Sequence, residues 1–353
     1  MEANTLYESS PTATDFHPDT KAFFFDRAVA VTGGSGFIGS HVVEQLLALG
    51  ARPVVLSTSA ENVFLQHLGN RIQVRVSDLE SYSAAYEGLE GVSVVLNLAA
   101  RVAGLRYNST HSASIFHSNM QIFLNVIRAA HERKISRLLV TSSACVYPRF
   151  CSIPTPESEG FVGEPEPTNS GYGWAKRMQE YLGLQYSREF GLSVAIARPY
   201  NAYGPRDNFE PASSHVIPAL IRKAFRSTSA FFDVWGDGSH SRSFLYVDDF
   251  ARGLLEVTAR YPKADAINLG ANEEVTIREL ASAIASLVSK IGGVRVQPRF
   301  QAQGLTGQPR RCCDTSKAER LLGFRAKVSL KEGLERTVEW FATNESRTLP
   351  ANV

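Results

Sequence analysis

The stretch Thr32-Gly33-Gly34-Ser35-Gly36-Phe37-Ile38-Gly39-Ser40 constrains this chain more than any other. A short apolar run at 27–31 precedes it. Residues 41–49 follow with Val42, Val43, Leu46 and Leu47 on one side and Gly50 at the end, the pattern of an amphipathic helix. Strand, glycine loop and helix in that order form a dinucleotide-binding fingerprint. Gly33 and Gly36 allow a tight turn and let the backbone approach a pyrophosphate. Gly39 lets the helix pack close to the sheet, and the helix N-terminus, beside Phe37 and Ile38, meets the phosphates. The competing reading is a glycine turn without a ligand, and the flanking strand and helix weigh against it.

Strand and helix patterns alternate through the first half. Strands are predicted at 53–56, 72–76, 92–98, 137–141 and 192–197, with an amphipathic helix at 119–133. This alternation predicts an α/β fold, a Rossmann-type doubly wound parallel sheet. From residue 201 the pattern loosens. Ser213 or Ser214 caps a helix that buries Val216, Ile217, Leu220 and Ile221. Strands follow at 231–235 and 242–247, and Asp248 or Asp249 opens a helix to about residue 260. A short strand at 267–269, a helix capped by Thr276, a strand at 294–300 and helices starting at Ser316 and Ser329 complete the chain. The expected organisation is a polar N-terminal extension at 1–26, a dinucleotide-binding domain at 27–200 with 243–260 returning to it, and a smaller α/β substrate-binding lobe in most of 201–345. The extension reads as mobile, with Phe23-Phe24-Phe25 as a candidate docking element.

At the end of the second strand an NAD site places an acidic residue for the ribose 2′-hydroxyl. Here the chain carries Ser57-Thr58-Ser59, whose hydroxyls suit a 2′-phosphate, with Arg52 as a possible helper. The pattern favours NADP (NADPH) over NAD; the alternative leaves the acidic role to Glu61. Asp78 and Leu79, after the next strand, are candidate adenine contacts. Ala99 and Ala100 are small enough for a strand end pressed against a cofactor.

The chemistry concentrates between residues 141 and 176. Tyr172 and Lys176 are four apart, so on a helix they share a face. An ammonium beside a phenol favours the phenolate, so Lys176 is expected to lower the Tyr172 pKa. A tyrosine so tuned moves a proton to or from a sugar or alcohol oxygen, and Ser143 is placed to bond the same oxygen. Such a pair alone arises in many helices by chance; its weight comes from the glycine loop.

Composition narrows the classes. The 353 residues are 44% hydrophobic and 20% charged, as in an ordinary globular protein, and the net charge of +2 gives no pull toward nucleic acid. No apolar run approaches a membrane span, no secretory signal is read, and four cysteines in a chain this long suggest neither a disulfide framework nor a metal site. A reduced cytoplasm is the expected location.

With these motifs together, residues 27–341 resemble the extended short-chain dehydrogenase/reductases, enzymes of the NAD-dependent epimerase/dehydratase type that convert nucleotide-activated sugars. Ser142-Ser143-Ala144-Cys145-Val146-Tyr147-Pro148 is similar to segments of the GDP-mannose 3,5-epimerase and GDP-L-fucose synthase branches. Tyr203-Gly204-Pro205-Arg206-Asp207-Asn208-Phe209, leading into Ser214-His215-Val216-Ile217-Pro218, resembles the fucose synthase branch, as does Val234-Trp235-Gly236 followed by Arg242. The resemblance implies an NADPH-dependent 3,5-epimerase/4-reductase acting on a GDP-sugar, GDP-4-keto-6-deoxy-mannose, and a homodimer formed through two helices. It places Cys145 and His215 at epimerisation, Tyr172 as proton donor in the reduction, and Lys176 on the nicotinamide ribose. Asn201, Trp235 and Arg242 become candidate substrate contacts. Rival readings are a GDP-sugar 3,5-epimerase without net reduction, another nucleotide-sugar enzyme of the family, and a non-catalytic member. The intact Ser143, Tyr172 and Lys176 argue against the last. Ala144-Cys145 stands where 4,6-dehydratases carry an Asp-Glu pair, which argues against that chemistry.

Overall fold

The computed structural model describes residues 13–102, 104–293, 295–301 and 308–348. At its centre is a parallel sheet of seven strands. In chain order these are β1 (Ala28–Thr32), β2 (Arg52–Ser57), β3 (Gln73–Val76), β4 (Val94–Asn97), β5 (Arg137–Thr141), β6 (Val194–Pro199) and an edge strand, Ala266–Leu269. From that edge the order is β6, β5, β4, β1, β2, β3. The winding reverses between β4 and β1, which opens a crevice at their C-terminal ends, the place where α/β sheets bind ligands.

The helices are α1 (Pro18–Phe24), α2 (Phe37–Ala48), α3 (Tyr82–Gly88), α4 (Leu105–Thr110), α5 (Ser112–Glu132), α6 (Ser170–Phe190), α7 (Val216–Phe225), α8 (Val247–Arg260), α9 (Ile277–Gly292), α10 (Ser316–Leu322) and α11 (Leu330–Thr348). Alternate strand residues feed two cores. Val29, Val31, Val55 and Leu96 pack with α1, α2 and α8 on one face; Ala30, Val54, Leu56 and Val95 pack with α3 and α5 on the other. Both faces of the central strands are covered, so β1, β4 and β5 read as nearly continuous apolar runs, while the edge strand β3 is largely exposed. A third core joins α7, α9 and α11 to the paired strands Phe231–Trp235 and Gln297–Gln301.

Several expectations are corrected. Residues 13–26 of the N-terminal extension are docked, not mobile; residues 1–12 lie outside the described residues. Thr20 Oγ1 donates to Glu256 Oε2 at 2.7 Å and the His17 N–H donates to Glu256 Oε1 at 2.9 Å, tying α1 to α8. Phe16 and Phe24 are buried in the sheet core while Phe25 stays exposed. The expected strand at 242–247 is two, because its halves serve different partners. Ser241–Ser243 pairs with Glu274–Thr276 and Arg310–Arg311, while Leu245–Tyr246 pairs with Ala202–Tyr203. His215, not Ser213 or Ser214, is the cap residue of α7. Val294 lies outside the described residues, and its strand runs Gln297–Gln301. Thr276 caps α9 as expected, in a reciprocal box with Glu279.

Candidate active site

The glycine loop leaves β1 and turns into α2. Gly33 has φ +65°, and a Cβ there would stand 3.2 Å from Ala99 Cα. A Cβ on Gly39 would meet Gly33 O at 2.2 Å, so only glycine permits this closeness of helix and loop. Gly36 occupies the cap position of α2 without a side-chain cap, which leaves the first backbone N–H groups of α2 for an anion. Thr32 Oγ1 accepts from the Leu98 and Ala99 N–H groups at 3.0 and 2.9 Å, fixing the ends of β1 and β4 side by side. Ala100 follows beside the crevice. Thr141 Oγ1 is buried at the end of β5 with no partner among the described residues. A cradle closed to any Cβ, an uncapped helix N-terminus and an unspent hydroxyl fit a dinucleotide.

The other cofactor candidates are placed less simply. Ser57 Oγ lies 2.8 Å from Ser35 Oγ and accepts from the Ser59 N–H at 3.2 Å, so it braces the glycine loop; Thr58 and Ser59 carry the exposed hydroxyls. Arg52 sits at the opposite end of β2, paired with Asp26 at 3.1 Å, and is removed from this site. Asp78 is exposed, with Oδ1 accepting from the Glu80 N–H. Leu79 buries its side chain in the α3/α5 core and gives its carbonyl to Asn125, leaving little of it for adenine.

Tyr172 and Lys176 lie in the first turns of α6. Two glycines press this end of the helix into place. A Cβ on Gly171 would meet Ser112 O at 2.1 Å, and one on Gly173 would meet Cys145 O at 2.4 Å. Lys176 is almost fully buried. Its Nζ donates to Thr141 O at 2.7 Å and to Gln179 Oε1 at 3.1 Å, and Gln179 in turn donates to Asn119 O at 2.9 Å. Burial pushes the Lys176 pKa down to about 8. The expectation that Lys176 lowers the Tyr172 pKa is not met. The ammonium lies 5.4 Å from the ring centroid with its bonds directed elsewhere. Burial, with Cys145 adding, pushes the phenol well above the usual tyrosine range, so Tyr172 stays protonated at neutral pH.

Ser143, two residues beyond β5, accepts from the Cys145 N–H at 3.1 Å, and Cys145 acts electrostatically on Tyr172 and Lys176. Arg311 Nη1 lies 4.0 Å from Cys145 Sγ. His215, the cap residue of α7, is exposed. Desolvation, followed by the field of Arg311, holds its imidazole below the ordinary histidine range. Arg311 and Arg242 face each other in register on adjacent parallel strands, and neither forms an ion pair among the described residues. Like charges opposite one another in a sheet repel, so this arrangement suits a bound anion. Burial, then Arg311, pushes the Arg242 pKa down to about 9, still cationic at neutral pH. Among the described residues no group of histidines, cysteines and carboxylates is placed to hold a metal.

Residues 29–270 match the model of the NAD dependent epimerase/dehydratase family. This chain belongs to that family. It is 38% identical over 92% of its length to the probable GDP-L-fucose synthase 1 of Oryza sativa subsp. japonica, covering 95% of that protein. It is 35% identical over 91% of its length to the GDP-L-fucose synthase of Escherichia coli (strain K12), covering 98% of it. Its fold superposes on a GDP-L-fucose synthetase from Naegleria fowleri solved bound to NADP, with TM-score 0.75, 24% identity and coverage of 91% and 96% of the two chains.

Within this epimerase/dehydratase chain the remaining candidates differ in what they offer. Asn201 donates its amide to Ser243 O at 2.7 Å, so that donor is spent on joining the segment after β6 to the strand Ser241–Ser243. Trp235 is 58% exposed with Lys223 Nζ 4.9 Å from its ring centroid, an open aromatic face. Sequence reading missed Arg311, Gln179 and the glycines beside Tyr172. The Gly-Tyr-Gly run was the available signal for the last; Arg311 lies between the expected strand at 294–300 and the helix starting at Ser316, where no element was expected. Cys151 accepts from Gln308 Nε2 at 3.2 Å. A buried network supports the site from behind. Glu180 accepts from Arg198 Nε and Nη2 at 2.8 and 2.7 Å and from Ser142, Arg198 reaches Tyr147 Oη at 3.1 Å, and Tyr147 donates to Asn268. A cavity of about 670 Å³ is lined by Glu180 and Arg198 of this network together with Tyr181 and Lys317, and by none of Ser143, Cys145, Tyr172 and His215.

Proposed function

We propose that this chain is a GDP-L-fucose synthase, converting GDP-4-keto-6-deoxy-D-mannose to GDP-L-fucose with NADPH. The observation that carries the reading is that Arg311 lies 4.0 Å from Cys145 and its field also reaches His215, while Cys145 in turn acts electrostatically on Tyr172 and Lys176. The similarity to fucose synthases over nine-tenths of the chain supports it.

Arg242 and Arg311 would hold the diphosphate, and Trp235 offers a face to the base. Tyr172 and Ser143 donate hydrogen bonds to the C4 carbonyl oxygen, which acidifies the hydrogens on C3 and C5. Cys145 takes one of these protons while the C–H electron pair moves into an enolate whose oxygen Tyr172 and Ser143 stabilise. His215 returns a proton to the opposite face; the depression of its pKa makes the imidazolium the stronger donor. NADPH, when bound, supplies the hydride for C4, and Tyr172 gives its proton to the C4 oxygen. Lys176 would bind the nicotinamide ribose. The glycine cradle at Gly33, Gly36 and Gly39 would take the pyrophosphate, with Phe37 and Ile38 opening the helix. Thr58 and Ser59, with no carboxylate on Ser57, suit the 2′-phosphate of NADP. The cofactor unit in this reading is 27–200 with 243–260 and the edge strand Ala266–Leu269, and the sugar lobe is most of 201–345.

The same reading makes the chain a cytoplasmic homodimer. No helix of the described residues is long and apolar enough to cross a membrane. Helices α5 and α6 pack together and leave Phe116, Leu124 and Tyr181 exposed for a second copy. Sedimentation of the wild type and of Leu124→Glu tests this, with monomeric wild type removing it.

The decisive experiment follows NADPH absorbance with purified protein and GDP-4-keto-6-deoxy-D-mannose, then NMR of the product. NADPH consumption with a fucose-configured product supports the proposal. Solvent deuterium entering C3 or C5 without NADPH consumption would replace it with an epimerase that performs no net reduction.

A further inference from the structure

The charge beside Cys145 has a specific construction. Gln308 is 2% exposed and held at three points. Its Nε2 donates to Pro148 O at 3.1 Å and to Cys151 Sγ at 3.2 Å, and its Oε1 accepts from Arg311 Nε at 3.0 Å. With Nε fixed on Gln308, the other end of the planar guanidinium is aimed, and Nη1 faces Cys145 Sγ at 4.0 Å. The remaining charged groups around the sulfur are otherwise engaged. Lys176 spends its ammonium on Thr141 O and Gln179, and Arg242 donates to Ser241 O and Pro309 O. Among the described residues, Tyr172 is coupled to Cys145 and His215 to Arg311.

We propose that Arg311, aimed by Gln308, is a positioning residue for proton abstraction by Cys145, acting as counter-cation to the sulfur. The proposal deepens the reading of Cys145 as the epimerisation base and rests on it. As the sulfur takes the C3 or C5 proton, an S–H bond forms, a C–H bond breaks, and its electron pair passes to the C4 oxygen. The guanidinium keeps all its protons and only balances charge, which a permanently cationic group does well. Arg311 thereby serves the sulfur as well as the diphosphate, whereas Arg242 spends its Nη1 on Ser241 O and Pro309 O.

The test uses substrate-free protein. Iodoacetamide is added at neutral pH and labelling of Cys145 is followed by peptide mass spectrometry. Arg311→Gln should slow Cys145 labelling roughly 10-fold, and Arg311→Lys should restore most of it. In turnover, Arg311→Gln should lower kcat for solvent deuterium exchange at C3 and C5 beyond any rise in KM. Unchanged labelling in Arg311→Gln, with KM alone raised, would overturn the proposal and leave Arg311 as a diphosphate ligand. If Arg311→Gln does not fold, Gln308→Leu reads the same quantity, since it keeps the guanidinium but removes what aims it; unchanged labelling there counts equally against the proposal. Labelling needs no sugar, so an absence of turnover by the wild type would defeat the proposed function separately.

Discussion

Lys176 donates its ammonium to the carbonyl of Thr141 at 2.7 Å and leaves the phenol of Tyr172 without that bond. The helix therefore offers a lysine tied to the sheet and a tyrosine kept protonated by burial. This division of labour determines how the site responds to pH.

The Lys176 ammonium exists below its pKa of about 8 and is lost as pH rises through it. Reduction should decline along an alkaline limb near that value. Gln179→Glu places a carboxylate where Gln179 Oε1 now sits, favours the charged form, and should move the limb up by roughly 1 unit or more; Gln179→Leu should move it down. Stability has the opposite sense. Between about 8 and the ordinary lysine value of 10.5 the unfolded chain binds more protons than the native one, so the burial penalty on Lys176 fades as pH rises. Initial rates of NADPH oxidation from neutral to alkaline pH check the limb, and a pH-independent ratio of Gln179→Glu to wild type would refute it.

Cofactor choice should respond to Ser57. Its hydroxyl bridges to Ser35 at the end of β2, where a carboxylate would bond a ribose 2′-hydroxyl and repel a 2′-phosphate. Ser57→Asp should shift the ratio of kcat/KM for NADPH over NADH by roughly 100-fold toward NADH, about 2.7 kcal/mol. Steady-state kinetics with both cofactors measure it.

Gly173→Ala should damage catalysis without emptying the cofactor site. The new Cβ would sit 2.4 Å from Cys145 O and 2.6 Å from Pro165 Cβ, so α6 must shift against the Cys145 turn. A displacement of about 1 Å at Tyr172 is enough for a roughly 100-fold loss of kcat. Fluorescence titration should find NADPH binding within about 3-fold of wild type, and full activity would show the contact to be slack.

Glu180→Gln should cost about 3–5 kcal/mol of stability, because it leaves the guanidinium of Arg198 buried without its carboxylate. Urea denaturation reads the loss. A change under about 1 kcal/mol would mean that Tyr147 and the Glu157 carbonyl, which Arg198 also contacts, suffice to hold it.

What was readable in the sequence was local in origin. The loop from Thr32 to Ser40 declares itself because the turn, the close approach and the helix start all fall within nine residues. The Tyr172–Lys176 spacing fixes a shared helical face, but not that the ammonium would reach Thr141 on β5. Arg311 was hidden for the same reason. Its position follows from the register of Arg310–Arg311 against Ser241–Ser243, which no local pattern encodes. The edge strand Ala266–Leu269 reads as a strand from its apolar run, while its membership of the main sheet depends on pairing with β6.

The docking of α1 has a consequence in time. Thr20 and its acceptor Glu256 are 236 residues apart in the chain. At about 5–20 residues per second, a ribosome takes roughly 10–50 s to make that interval. Throughout it Phe16 and Phe24, made before α8, have no finished core to enter. The nascent chain thus carries an early adhesive segment whose seat is built late, and chaperone capture during synthesis should be strongest there.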